Sequence, residues 1–244
     1  MGPEPSPRRA ARPDVVRAVL FDAGHTLLEL DYPMLTAQLV SRGHRVGELQ
    51  VVEAERRARI RLDGEQAAQP TRARLGAGRY LRYLLGGLGI TGEEDVAAIT
   101  AWRRGFNQPV GLCHQADAQA VAALTRLRAA GIITGVISNS NGSVREALER
   151  AGLAPLLDFV IDSTVVGIAK PDPRVFALGL RAAGVEAHEA VYIGDSYFVD
   201  VVGARGAGLG AVLFDPGGVW GARDCPSASG LSEAAERATA LPTS

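Results

Sequence analysis

The sequence predicts an α/β protein: a parallel sheet flanked by helices, interrupted early by a helical insert. Two observations carry that expectation. From about residue 109 onward, apolar runs of strand length alternate with helix-period segments that stop at glycines, the pattern of successive parallel βαβ units. Residues 29–108, by contrast, are almost free of strand signals and rich in helix formers, as in VVEAERRARIRL and RYLRYLLGGL.

The first fourteen residues, MGPEPSPRRAARPD, lack an apolar targeting core and read as a disordered leader outside the fold. Residues 15–21 form the first expected strand, which runs directly into Asp22. After the insert, strands are expected at 133–138, 159–162, 190–193 and 211–214. Between them, one helical segment carries Val121, Leu124 and Leu127 and stops at Gly131. A second carries Val144, Ala147, Leu148 and Ala151 and stops at Gly152. A third opens with Asp172 as N-cap and Pro173 at the first helical position, then ends at Gly184. Residues 217–229 read as loop and 231–241 as a last short helix. The expected division is therefore a core of 15–28 and 109–225, an insert of 29–108 and a tail of 226–244.

Bulk properties exclude several classes. A formal net charge of −1 gives no electrostatic case for nucleic acid or an acidic membrane surface. No apolar run approaches the roughly eighteen residues of a membrane span. Two cysteines, Cys113 and Cys225, make no disulfide framework, so a reduced cytoplasmic setting is expected. The basic residues comprise 25 arginines and one lysine, Lys170. In so arginine-biased a chain a surviving lysine is informative, because a compact ammonium does what a planar guanidinium cannot.

Ligands of an open parallel sheet bind at the carboxyl ends of its strands. Four segments converge there: AVLFDAGHTLL with Asp22, ITGVISNSNG with Ser138, GIAKPDP with Lys170, and VYIGDSYFVD with Asp195 and Asp200. Each alone is weak, since an aspartate after a strand is commonly a turn or helix cap. Together they suit phosphoryl transfer. A carboxylate at Asp22 can attack phosphorus and divide one displacement into two steps. Asp22 and Asp195 can share Mg²⁺, which takes oxygen ligands. Ser138 can hydrogen-bond a phosphoryl oxygen, and Lys170 can neutralise developing charge.

In these four segments, in this order, the chain resembles the haloacid dehalogenase-like hydrolase superfamily over nearly its whole length. The resemblance implies a Rossmann-like core with a helical cap inserted after the first motif. It implies Asp22 as nucleophile, Ser138 as phosphate binder, Lys170 as the third-motif lysine and Asp195 as Mg²⁺ ligand, with Asp200 supporting. It also implies Mg²⁺ as cofactor, with the backbone carbonyl of Gly24 as a further ligand, and a small phosphorylated metabolite as substrate. Asn139, beside Ser138, is a candidate substrate contact. Whether the chain is a monomer or a homodimer stays open.

The sequence departs from the family pattern at Gly24, where most phosphatases of the family carry a second aspartate that protonates the leaving group. Glycine cannot do so. General acid–base catalysis is worth about 10²–10⁴-fold, so aryl and acyl phosphates should suffer least. His25 is the nearest substitute, but the preferred reading gives it only a loop position. Two alternatives remain: haloacid dehalogenation, against which the intact Asp195 and Asp200 argue, and a non-catalytic module that binds a phosphorylated ligand. The insert holds no lysine for Schiff-base phosphonate chemistry. Its arginine-rich run (56, 57, 59, 61, 72, 74, 79, 82) reads as a solvated face. Tyr80, Tyr83, Trp102 and Phe106 read as packing, and Cys113 as a buried small side chain.

Overall fold

A computed structural model describes residues 15–69, 76–106 and 111–242. The expected leader, Arg72 and Arg74, and the side chain of Phe106 lie outside what is described. The core is a six-stranded parallel sheet in the order β5-β4-β1-β6-β7-β8. It comprises β1 (Ala18–Phe21), β4 (Ile133–Ser138), β5 (Phe159–Asp162), β6 (Ala190–Gly194), β7 (Gly210–Phe214) and β8 (Ser227–Ala228). The central strand β1 is buried throughout, as a parallel strand covered on both faces must be.

Alternation along the strands sends side chains to two layers. Val19, Phe21, Val136, Ile193 and Val212 meet α5 (Ala120–Ala129), α6 (Val144–Arg150) and α10 (Leu231–Thr239) on one face. Leu20, Ile137, Tyr192 and Leu213 meet α8 (Pro173–Ala183) and α9 (Gly203–Gly206) on the other. The punctuation of α8 is as expected: the Asp172 carboxylate accepts the Arg174 N–H at 3.0 Å, and Gly184 closes the helix at φ 65°.

Gly179 lets α8 lie close on the sheet. A Cβ there would stand 2.6 Å from Ile137 Cδ1 and 3.2 Å from Leu20 Cδ1, both fully buried residues. Gly179→Ala is therefore expected to destabilise the protein by about 1–3 kcal/mol through overpacking. A thermal melt would register this as a drop of roughly 2–4 °C per kcal/mol in Tm. An unchanged Tm would mean that the helix shifts without cost.

The insert is helical: α1 (Tyr32–Ser41), α2 (Glu48–Ala68), α3 (Gly76–Gly87) and α4 (Glu93–Phe106). It has its own apolar cluster, built from residues such as Leu35, Leu39, Val51, Leu84, Leu85 and Ile99. Where the chain leaves and re-enters the sheet region, β2 (Leu28–Leu30) and β3 (Cys113–Ala116) pair antiparallel, with Leu28 opposite Ala116. The sequence reading had neither strand, because three or four residues are too few to establish a period-two pattern.

The C-terminal stretch also differs from expectation. Residues read as loop and tail complete the core: Ser227 pairs with Leu213 at the sheet edge. From α10, Leu231, Ala234, Ala235 and Ala238 bury against the cluster that holds Phe21. A two-residue strand carries no sequence signal, and alanines make a weak apolar stripe. Among the described residues no helix is long and apolar enough to cross a membrane.

Candidate active site

Because β1 lies between β4 and β6, the carboxyl ends of these three strands stand side by side. Asp22, Ser138 and Asp195 consequently share one cavity of about 820 Å³, together with Gly24, His25, Asn139 and Lys170. The family of strand-end residues singled out from the sequence is thus brought together.

At its centre is Lys170, supplied by the loop before α8 and almost wholly buried. Its Nζ stands 2.7 Å from Asp200 Oδ1, 2.7 Å from Tyr192 Oη and 3.0 Å from Asp22 Oδ1. The Tyr192 hydroxyl in turn donates to the Ile137 carbonyl at 2.6 Å. Burial pulls the Lys170 ammonium down, but the Asp200 and Asp22 carboxylates outweigh it and hold the pKa above its ordinary value. A buried lysine so paired stays charged.

Asp200 is fully buried, and its other oxygen accepts the Ser196 N–H at 3.0 Å. Burial, with Asp22 and Asp195 nearby, pushes its carboxyl up against the pull of Lys170. Gly194 makes room for this group, since a Cβ there would run into the Asp200 carboxyl. One carboxylate oxygen from each of Asp22, Asp195 and Asp200 lies within 4.8 Å of the others. This crowding of anions is matched in part by Lys170 and by Arg59, which pairs with the Asp195 carboxylate.

Asn139, expected as a substrate contact, lines the cavity and also holds Lys170. Its carboxamide accepts the Lys170 N–H at 2.8 Å and donates to the Lys170 carbonyl at 2.9 Å. Both ends are engaged with the backbone of the site lysine, so Asn139 fixes where that lysine stands.

Gly24 lines the cavity, and among the described residues beyond its chain neighbours a Cβ there would have only Cys113 Sγ within 4 Å, at 3.9 Å. His25 sits at φ 57°, in the left-handed region, with its N–H on the Leu28 carbonyl at 2.7 Å. Its Nε2 lies 3.4 Å from Glu55 Oε1 and 3.9 Å from Cys113 Sγ. Burial lowers the imidazole pKa, but the Glu55 carboxylate prevails and the result is raised to about 9. Glu55 itself, completely buried in α2, receives the Tyr80 hydroxyl at 3.0 Å and the Tyr32 hydroxyl at 3.1 Å. Its desolvation is more than offset by His25 and Arg59, so its carboxyl falls below the usual range.

Glu55, Arg59 and Asp63 were not expected at the site, and Arg59 was expected on a solvated face. Spaced four apart, they share one face of α2. Arg59 Nε lies 2.8 Å from Glu55 Oε1. Asp63 accepts the Ser196 hydroxyl, the Phe198 N–H at 3.0 Å and the Val199 N–H at 3.3 Å, and so caps the turn that carries Asp200. The arginine run is therefore divided: Arg57 and Arg61 face solvent, while Arg59 points into the site. Cys113 and Tyr80, read as packing, line the cavity.

Comparison with known proteins agrees with this architecture. A model of the haloacid dehalogenase-like hydrolases matches residues 16–208. The chain is 43% identical over 100 residues to a phosphoserine phosphatase of Thermus thermophilus, covering 41% of this chain and 40% of that protein. It is 34% identical over 95 residues to a glyceraldehyde 3-phosphate phosphatase of Pyrococcus furiosus, covering 38% and 40%. The matches thus span about two fifths of the length of these curated relatives. Among solved structures, a 2-haloacid dehalogenase from Pseudomonas syringae aligns over 91% of this chain and 97% of its own, with 28% identity and a TM-score of 0.53. The chain belongs to the haloacid dehalogenase-like hydrolase family.

Proposed function

We propose that the protein is a Mg²⁺-dependent phosphohydrolase that acts on a small phosphorylated metabolite through a covalent intermediate on Asp22. The observation that carries this reading is the cluster of Asp22, Asp195 and Asp200 around a buried, charged Lys170. An all-oxygen donor set with excess negative charge fits Mg²⁺. Asp22, Asp195 and the Gly24 carbonyl would hold it, with Asp200 in support. The cation would supply charge neutralisation between an anionic nucleophile and an anionic substrate.

The chain's own residues would then divide the work. A carboxylate oxygen of Asp22 forms the new bond to phosphorus while the bond from phosphorus to the leaving oxygen breaks. Water later attacks the aspartyl phosphate, releasing phosphate and restoring Asp22. The Ser138 hydroxyl hydrogen-bonds a phosphoryl oxygen, and Lys170, held by Asn139, faces the developing charge. Helices α1–α4 form the cap, which borders the cavity through Arg59, Leu62, Tyr80 and Arg103. Because Gly24 offers no proton, substrates whose leaving group departs as an anion are favoured. His25, tied to Glu55, serves the contact between cap and core. Two curated relatives that bear phosphatase names favour this reading over halide displacement from carbon, as does the intact pair Asp195 and Asp200.

The test is hydrolysis of p-nitrophenyl phosphate. Activity is expected with Mg²⁺, lost on chelation and restored by adding Mg²⁺ back. Absence of turnover at any Mg²⁺ concentration, with phosphate still bound, would replace the enzyme by a ligand-binding module. Halide release from a 2-haloacid without metal would replace it by a dehalogenase.

A further inference from the structure

Resting on the phosphohydrolase reading, we infer that Arg59 exchanges partners at the site: it and the divalent cation are alternative holders of the Asp195 carboxylate. Once displaced, its guanidinium turns to the phosphoryl group. Arg59 is a substrate-binding residue in this scheme, and its exchange links cation and substrate binding.

Three features of the geometry lead there. First, Arg59 is shared: Nη1 pairs with the Asp195 carboxylate while Nε lies 2.8 Å from Glu55 Oε1. The Asp195 end can let go while the Glu55 end stays anchored. That anchor is a close ion pair without hydrogen-bond alignment, and its carboxylate is fixed, since Glu55 is completely buried and also receives Tyr32 and Tyr80. Second, the helix need not move. One turn further on, Asp63 fastens α2 to Ser196, Phe198 and Val199, independently of Arg59. Third, Arg59 lines the same cavity as Asp22 and Ser138, so its released fork faces the space in which the phosphoryl group is expected. A planar guanidinium is suited to a phosphate in a way that a lone ammonium is not.

The charges are conserved throughout the exchange. A cation that takes Asp195 frees one positive fork, and a dianionic substrate gives that fork a new partner. Each ligand removes the obstacle to the other, and linkage requires the effect to be reciprocal. Without such an exchange, Arg59 would simply compete with the cation.

Isothermal titration with Mg²⁺, in the presence and absence of inorganic phosphate, tests this without turnover. Arg59→Gln is expected to bind Mg²⁺ about fivefold or more tightly than wild type when phosphate is absent, the low end of ordinary coupling. Phosphate should tighten Mg²⁺ binding in wild type and do so less in Arg59→Gln. Arg59→Lys, which keeps the charge but not the fork, should bind Mg²⁺ more nearly like wild type than Arg59→Gln does when phosphate is absent. Arg61→Gln, a solvent-side change on the same helix, should leave the constant within about twofold. A thermal melt confirms that the variants fold. An Arg59→Gln constant equal to or weaker than wild type overturns the exchange, as does equal tightening by Arg61→Gln. If no variant and no wild type binds Mg²⁺, the metal site itself fails, and the exchange fails with it.

Discussion

Asp22→Asn is expected to abolish p-nitrophenyl phosphate hydrolysis, lowering kcat by on the order of 10⁴-fold or more, as removal of a covalent nucleophile does elsewhere. An amide has neither the charge nor the lone-pair basicity to displace p-nitrophenolate from phosphorus. The substitution should spare the fold. Lys170 keeps Asp200 and Tyr192, each at 2.7 Å, and the amide oxygen can still accept the Ala23 N–H, now 2.7 Å from Asp22 Oδ1. It also removes one of three crowded carboxylates, so Tm should be unchanged or higher. Rapid-quench detection of a phosphorylated wild-type protein, absent in the variant, would distinguish loss of the covalent step from loss of binding. A variant that keeps more than about a tenth of wild-type kcat would remove Asp22 from the chemistry.

Much of the core was legible because its signals are local. Strands β4 and β5 have the expected limits, and Asp172, Pro173 and Gly184 announce α8 through residue types whose preferences are nearly independent of context. What was not legible depends on distant partners. The β2–β3 ribbon joins residues far apart in sequence, such as Leu28 with Ala116. The edge strand β8 exists because Leu213 offers it a ladder.

The same division holds at the site. Asp22, Ser138 and Asp195 could be found because topology brings strand ends together, and Lys170 stood out as the single lysine of the chain. Glu55, Arg59 and Asp63 could not be told from a salt-bridged solvent face, since α2 has no apolar stripe to orient it. Their spacing of four was visible. Which side of the helix faced the core was not, because their burial depends on partners such as Asp195 and the Ser196–Val199 turn. Asn139 shows the converse. Its proximity to Ser138 was visible and its hold on Lys170 was not, because that partner lies 31 residues on.

Gly24→Asp should do the opposite of Asp22→Asn and create activity. The position tolerates a side chain: Gly24 is not among the glycines with positive φ, and a Cβ would have only Cys113 Sγ within 4 Å, at 3.9 Å. It also borders the cavity that holds Asp22, so a carboxyl group there can reach the leaving oxygen. A general acid contributes about 10²–10⁴-fold, and that gain should appear only where protonation limits the rate. An alkyl phosphate should therefore gain about 10²-fold in kcat, while p-nitrophenyl phosphate, whose phenolate leaves unprotonated, should change by less than about tenfold. The ratio of the two rates is the informative quantity. Equal gains on both substrates would mean that the new carboxylate acts on the cation or the cap and not on proton transfer. No gain on the alkyl phosphate would mean that wild type already has its proton donor. His25, beside Gly24 and held by Glu55, would then be the first residue to replace.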